Sequence, residues 1–354
     1  MLHIIHSFGE ELPSACQNSC QEAWAVFDSF LLKYGSNYDI AERTTRVLRH
    51  GITLFGDASL PVAASVVARM SLGFETTGFP SYLWIAGKII GTFGNENNQA
   101  LQGAFQEMYE RSTNKVVSFL QTKPPGDVPD GTSTRVRLQV REFSSVRSIV
   151  LEDFLQMLLR LIEFAPDVYF QSPAFPLAFR AAMAALTVVH SDIIFASLDL
   201  IRSTLTHDSI VSNSPSRPPN FIVFASAIRG VFEKEGFELV GYLLTGLVGD
   251  FPEDSTSAVV SIFRVISSVW TSQLLSWLPL VLQQLPTTAP NQAKAQFLSD
   301  VGRLVNLFFS PTTLLIFSSA LNGHDYDKVK YAILALNRSS RKARERRRVA
   351  LVER

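Results

Sequence analysis

Three arginines at steps of three, Arg43, Arg46 and Arg49, followed directly by His50, are the sharpest constellation of ligand-binding side chains in this 354-residue sequence. A guanidinium presents a rigid fork of donors that matches a carboxylate or a phosphate, so a row of them suits an acidic or phosphorylated peptide. On a helix, steps of three spread the row over an arc of roughly 120°. The same spacing also describes a solvated face on which Glu42 and Arg46 pair at i, i+4. Exposed arginine on helices is commonplace, so on spacing alone the solvated face takes precedence.

No other grouping offers chemistry of comparable definition. The two cysteines, Cys16 and Cys20, stand four apart after His3 and His6. That is not a standard zinc spacing, and two thiols at helical spacing read as buried side chains in a reducing compartment. The carboxylate pairs Glu152–Asp153 and Glu253–Asp254 are sequence neighbours. Neighbours on a helix point about 100° apart, so they read as partners of a nearby helix N-terminus rather than as an acid and base facing one atom. The six histidines are scattered, and no glycine-rich phosphate loop, Gly-x-Ser-x-Gly elbow or His-Glu-x-x-His pair occurs. The sequence therefore argues for a binding protein with no catalytic residue, metal or cofactor.

The arginines need a helix to carry them, and Asp39 to Gly56 supplies one. Asp39 and Glu42 have capping-box spacing, and Ile40, Thr44, Val47, Leu48, Gly51, Leu54 and Phe55 form an apolar stripe opposite the arginines. The same period recurs along the chain. It predicts helices over Cys16–Tyr34, Ile40–Phe55, Pro61–Thr76, Ser81–Phe93, Asn98–Gln121, Leu151–Phe164, Pro173–His190 and Ile193–Leu205. Further ones are predicted over Asn220–Glu235, Phe237–Val248, Thr256–Leu285, Gln292–Phe309 and from Tyr326 onward. Gly35, Gly56, Gly78 and Gly94 fall where left-handed C-terminal caps are wanted.

Paired helices with short turns and about 40 residues per pair match the period of HEAT-type arrays. The expected fold is thus all-α, an α-solenoid of antiparallel helix pairs running as one array over 1–354. Two segments stand apart. Residues 131–149 alternate Arg135, Arg137 and Arg141 with Val136, Leu138 and Val140, which reads as an irregular basic insertion. Residues 338–354 hold eight Lys or Arg against Glu345 and Glu353 and read as a basic C-terminal tail. No aromatic interleaves those arginines, so stacking on nucleic-acid bases is not suggested.

Hydrophobic residues make up 47% of the sequence and charged residues 18%, a composition that buries a core rather than staying disordered. The N-terminus lacks the pattern of a signal peptide. Two uncharged stretches, Val265 to Ala293 and Leu304 to His324, are long enough to raise a membrane question. Pro279, Pro286, Pro290 and Pro311 interrupt them, which favours buried solenoid helices over membrane insertion.

AERTTRVLRHGITLFG (Ala41 to Gly56), YLWIAGKIIGTFGNE (Tyr82 to Glu96), VLEDFLQMLLRLIEFAP (Val150 to Pro166) and DKVKYAILALNRSSRK (Asp327 to Lys342) resemble, in that order, the transportin-SR branch of the importin-beta superfamily. The resemblance is to the C-terminal part of these nuclear import receptors. It implies SR/RS-rich or other mRNA-binding proteins as cargo, with Arg43, Arg46, Arg49 and His50 as the cargo-binding candidates, which reverses the preference for a solvated face. Arginines that the family carries just before and after this helix are absent from Asn37–Asp39 and Thr53–Phe55, so a shifted cargo preference is expected. The resemblance further implies nucleoporins and the Ran GTPase as partners, shuttling between nucleus and cytoplasm, and a main Ran site in N-terminal repeats that this sequence lacks. A HEAT-repeat scaffold without transport activity would share the fold.

Overall fold

The chain is all-α because its apolar residues recur at helical spacing almost throughout, and among the described residues every regular element is a helix. The computed structural model describes residues 14–121, 145–211, 218–249, 251–287, 289–308 and 323–352. They fall into two compact units, Met1–Ala184 and Ala185–Arg354, where the sequence reads as one array.

In the first unit α1 (Ser14–Tyr34), α2 (Tyr38–Phe55), α3 (Leu60–Thr77), α4 (Pro80–Phe93), α5 (Gln99–Gln121) and α6 (Ser145–Phe164) precede the short α7 (Pro166–Gln171) and α8 (Phe175–Ala185). Each of α1 to α6 packs on its neighbour but one: α1, α3 and α5 form one layer, and α2, α4 and α6 the other. This two-layer alternation is how helix pairs stack in a solenoid. Ion pairs tie the first layer together, with Arg69 of α3 bidentate on Asp28 of α1 at 2.6 and 3.1 Å and Arg111 of α5 on Glu75 of α3. The second layer is held by apolar packing, with Leu83, Ile85, Ala86, Ile89 and Ile90 of α4 fully buried. The Tyr82 hydroxyl donates to the Gly35 carbonyl at 2.8 Å and fixes the end of α1 against α4.

The second unit comprises α9 (Ser191–Leu205), α10 (Asp208–Val211), α11 (Asn220–Val248), α12 (Thr256–Val269), α13 (Thr271–Gln284), α14 (Asn291–Phe308) and α15 (Gly323–Val352). Here α9, α12 and α15 pack in succession, as do α11 and α13. The core is aromatic, with the Phe232 ring 4.1 Å from that of Trp270 and 5.8 Å from that of Trp277.

Several boundaries differ from the sequence expectations, each for a local reason. Asn220–Glu235 and Phe237–Val248 are one continuous helix, α11. Gly236 does not break it; a Cβ there would lie 2.6 Å from the Trp277 ring, so this glycine admits the indole of α13. Thr256–Leu285 is two helices, broken at Trp270, whose φ of −122° leaves the helical region while its side chain is buried. That break divides the longer uncharged stretch, and Leu274, Leu278, Val281 and Leu282 of α13 face the core. Pro173–His190 is shortened to α8, with the short α7 preceding it as a separate helix. Of the four expected left-handed caps, Gly56 (φ 48°) and Gly78 (φ 73°) have positive φ, while Gly94 is right-handed and its missing Cβ leaves room for Phe164.

The expected insertion 131–149 lies outside the described residues as far as 144, and its last five residues are the first turn of α6. The basic run from 338 is helical as far as Val352 and half engaged with the core of its unit rather than hanging free. The Arg341 guanidinium donates to Glu253 at 3.0 Å, that of Arg344 to the Gly249 carbonyl at the end of α11, and that of Arg347 to the Thr287 carbonyl at 2.9 Å. His3 and His6 lie outside the described residues; Cys20 is buried.

Candidate functional site

Helix α2 begins two residues before the expected capping box. The Asn37 side chain is the cap, its Oδ1 accepting from the Ile40 amide at 3.2 Å, and Asp39 sits inside the first turn. The buried face is also rotated from the expected stripe. It consists of Ala41, Thr44, Thr45, Leu48 and Ile52, whereas Val47 is 52% exposed. Thr45 can be buried because its hydroxyl donates to the Ala41 and Glu42 carbonyls at 2.9 Å, leaving only its methyl to face the core.

With that face turned inward, Arg43, Arg46, Arg49 and His50 are all exposed. The row is not uniform. Arg46 is paired with Glu42 one turn back, and at 62% exposure this pair holds its guanidinium by only a few tenths of a kcal/mol. Arg43 and His50 have no ion pair or hydrogen bond among the described residues. Arg49 lies over the Trp84 ring of α4, its guanidinium carbon 3.8 Å from the ring centroid. Such stacking uses the π face of the guanidinium and leaves its in-plane N–H groups free to bind an anion.

Arg49 and Trp84 open onto a groove of about 400 Å³ between α4 and α6, which also meets Lys88, Glu152, Asp153, Gln156 and Arg160. Glu152 and Asp153 are not partners of a helix N-terminus as the sequence suggested. Helix α6 starts at Ser145, which puts them beyond its first turn and on the groove wall. Neither makes an ion pair among the described residues. Burial, and then the charge of Glu152, push the Asp153 carboxyl up to about 7. Arg160 leans instead on Glu163, at 3.6 Å. The groove thus offers the guanidinium edge of Arg49 on its α2 side and, on its α6 side, two acids without an ion pair, of which Asp153 is partly protonated at neutral pH. Sequence reasoning missed the latter because the basic alternation up to residue 149 concealed the true start of α6.

A family model for the Transportin-3/Importin-13 fourth TPR domain matches residues 14–120, which span α1 to α5 and carry the whole arginine row. The "mRNA transport regulator MTR10" of Saccharomyces cerevisiae is 23% identical over 88% of this chain and 31% of its own length. "Transportin MOS14" of Arabidopsis thaliana is 17% identical over 82% of this chain and 28% of its own. An uncharacterized protein of Schizosaccharomyces pombe is 21% identical over 80% and 28%. Over residues 14–120 the chain is thus similar to the transportin-3/importin-13 family, and over most of its length to these relatives. It spans less than a third of the length of these relatives.

Proposed function

We propose that this chain serves an importin-type role by binding protein cargo of the SR/RS or related mRNA-binding kind, in a receptor that works with Ran and nucleoporins and shuttles between nucleus and cytoplasm. The observation that carries the reading is the exposed row Arg43, Arg46 and Arg49, its last member held flat on Trp84 beside a groove with two unpaired carboxylates. An RS segment alternates cationic and, once phosphorylated, dianionic side chains. Its phosphates match the guanidinium edges, and its arginines match Glu152 and Asp153. An extended peptide places alternate side chains about 7 Å apart, so successive residues of one peptide can engage both walls.

Calorimetry with a phosphorylated RS peptide tests this. Replacing Arg43, Arg46 and Arg49 together by Glu is expected to weaken binding more than tenfold, since each charge-assisted bond contributes about 1.5 to 3 kcal/mol. Helicity should be unchanged, because all three side chains are exposed. Equal affinity of parent and triple variant at physiological salt would show the row to be a solvated face.

A further inference from the structure

The basic helix α15 has a second face that the import reading does not use. Its inward side is formed by Val329, Ala332, Ile333, Leu336 and Ser340, all buried, and is continued by Arg344 and Arg347, which bond to backbone carbonyls of their own unit. At 100° per residue the opposite side runs through Tyr331, Arg338, Lys342, Arg346 and Val349. Tyr331 is 63% and Val349 50% exposed, and the three cations between them are exposed too. Lys330 and Arg348 flank the line and are likewise exposed.

None of these five cations makes an ion pair or hydrogen bond among the described residues, and from Val329 to Val349 the only carboxylate is Glu345, which is exposed on the same side and outnumbered by them. Arg338, Lys342 and Arg346 follow one another at about 6 Å along the axis, and Tyr331 stands about two turns before Arg338. The run from 338 onward holds no aromatic, but the helix aligns one with it from outside the run.

We infer that this face of α15 binds single-stranded nucleic acid through its phosphates, with a base stacked on Tyr331. Charge complementarity requires a polyanion. The evenly spaced cations suit the regular backbone charge of a strand. The exposed phenol ring gives a base a stacking platform, which an acidic protein segment does not need. The ridge carries neither an apolar pocket nor a set of acceptors that would select a sequence, so binding is expected to be sequence-tolerant and strongly salt-dependent.

The test uses the full chain and a fluorescein-labelled fifteen-nucleotide single-stranded RNA of mixed sequence, read by fluorescence anisotropy, with a polyglutamate peptide as comparator. Contacts to about four phosphates make affinity fall roughly fifty-fold between 50 and 200 mM salt. The triple variant R338E/K342E/R346E is expected to lose RNA more than tenfold. Tyr331→Ala should lose it about fivefold or more while leaving polyglutamate binding as it was. The α2 variant R43E/R46E/R49E keeps RNA affinity, which separates this inference from the import reading. No binding at 50 mM salt, or binding unaffected by the α15 triple variant, overturns the proposal. So does polyglutamate binding as tight as RNA with no effect of Tyr331→Ala, which would make the occupant an acidic protein segment.

Discussion

Replacing Asp153 by Asn tests the electrostatics of the groove without touching the arginine row. In the folded chain burial and Glu152 hold this carboxyl at about 7, against an ordinary value of 3.8. A raised acid means that the folded state holds the proton more tightly than the unfolded one, so Asp153 costs stability as it ionises. The penalty is absent below pH 4, grows through the interval from about 4 to 7, and is complete above it. At 1.36 kcal/mol per pH unit it amounts to about 1.5 kcal/mol at pH 5 and about 4 kcal/mol at pH 8. Asparagine has nearly the same shape and cannot ionise. The variant should therefore melt higher than the parent, with a margin that widens by about 2 to 3 kcal/mol between pH 5 and pH 8. Thermal melts at several pH values would show this as a gap growing by several degrees. Binding adds a second readout, because a guanidinium docked beside Asp153 favours the carboxylate. An unphosphorylated RS peptide, which has no phosphate to titrate in this range, should bind the parent more tightly as pH rises from 6 to 8 and release a proton as it does so, whereas the Asn variant should show neither effect. A stability margin that is the same at pH 5 and pH 8 would refute the assignment of an unpaired, desolvated carboxylate.

Trp84→Leu keeps apolar bulk on α4 but removes the ring under Arg49; phospho-RS affinity measured by calorimetry should fall about two- to fivefold with the melting temperature nearly unchanged. Within α11, Gly236→Ala pushes a methyl into the Trp277 ring and should lower stability in denaturant melts by about 1 to 2 kcal/mol despite the better helix propensity. Gly230→Ala and Gly241→Ala in the same helix meet nothing within 4 Å and should raise it, each by up to about 1 kcal/mol.

The contrast among those three glycines shows how far local sequence reaches. A glycine inside an apolar helical pattern reads as a break, which sets Gly236 between Asn220–Glu235 and Phe237–Val248 on sequence alone. In the fold it is an interior residue of α11, because the void it leaves is filled by Trp277 from a helix some forty residues later. At Trp270 the opposite holds: the apolar run Thr256–Leu285 hides a turn, which exists because the indole is buried against Phe232. Helix ends set by a residue's own backbone preference, such as Gly78 with its positive φ after α3, could be read directly.

Helical period depends only on residues three and four apart, so the sequence by itself determined the all-α class, most of the helices and the arginine row on α2. Which side of α2 turns inward depended on α4. Thr45, polar by type, is buried because it bonds to its own backbone, and Val47, apolar by type, is left in solvent. The groove is likewise a tertiary product. Trp84, Glu152 and Asp153 come from helices separated by some sixty residues of chain, and each alone reads as core or as helix-end charge. The division of the basic run into arginines that bond to the backbone of their own unit and a free ridge aligned with Tyr331 needed α15 to dock on α12 and α14. Local propensity can place a charge on a helix, but only the neighbours that cover the rest of the helix decide whether that charge faces a carbonyl, a groove or solvent.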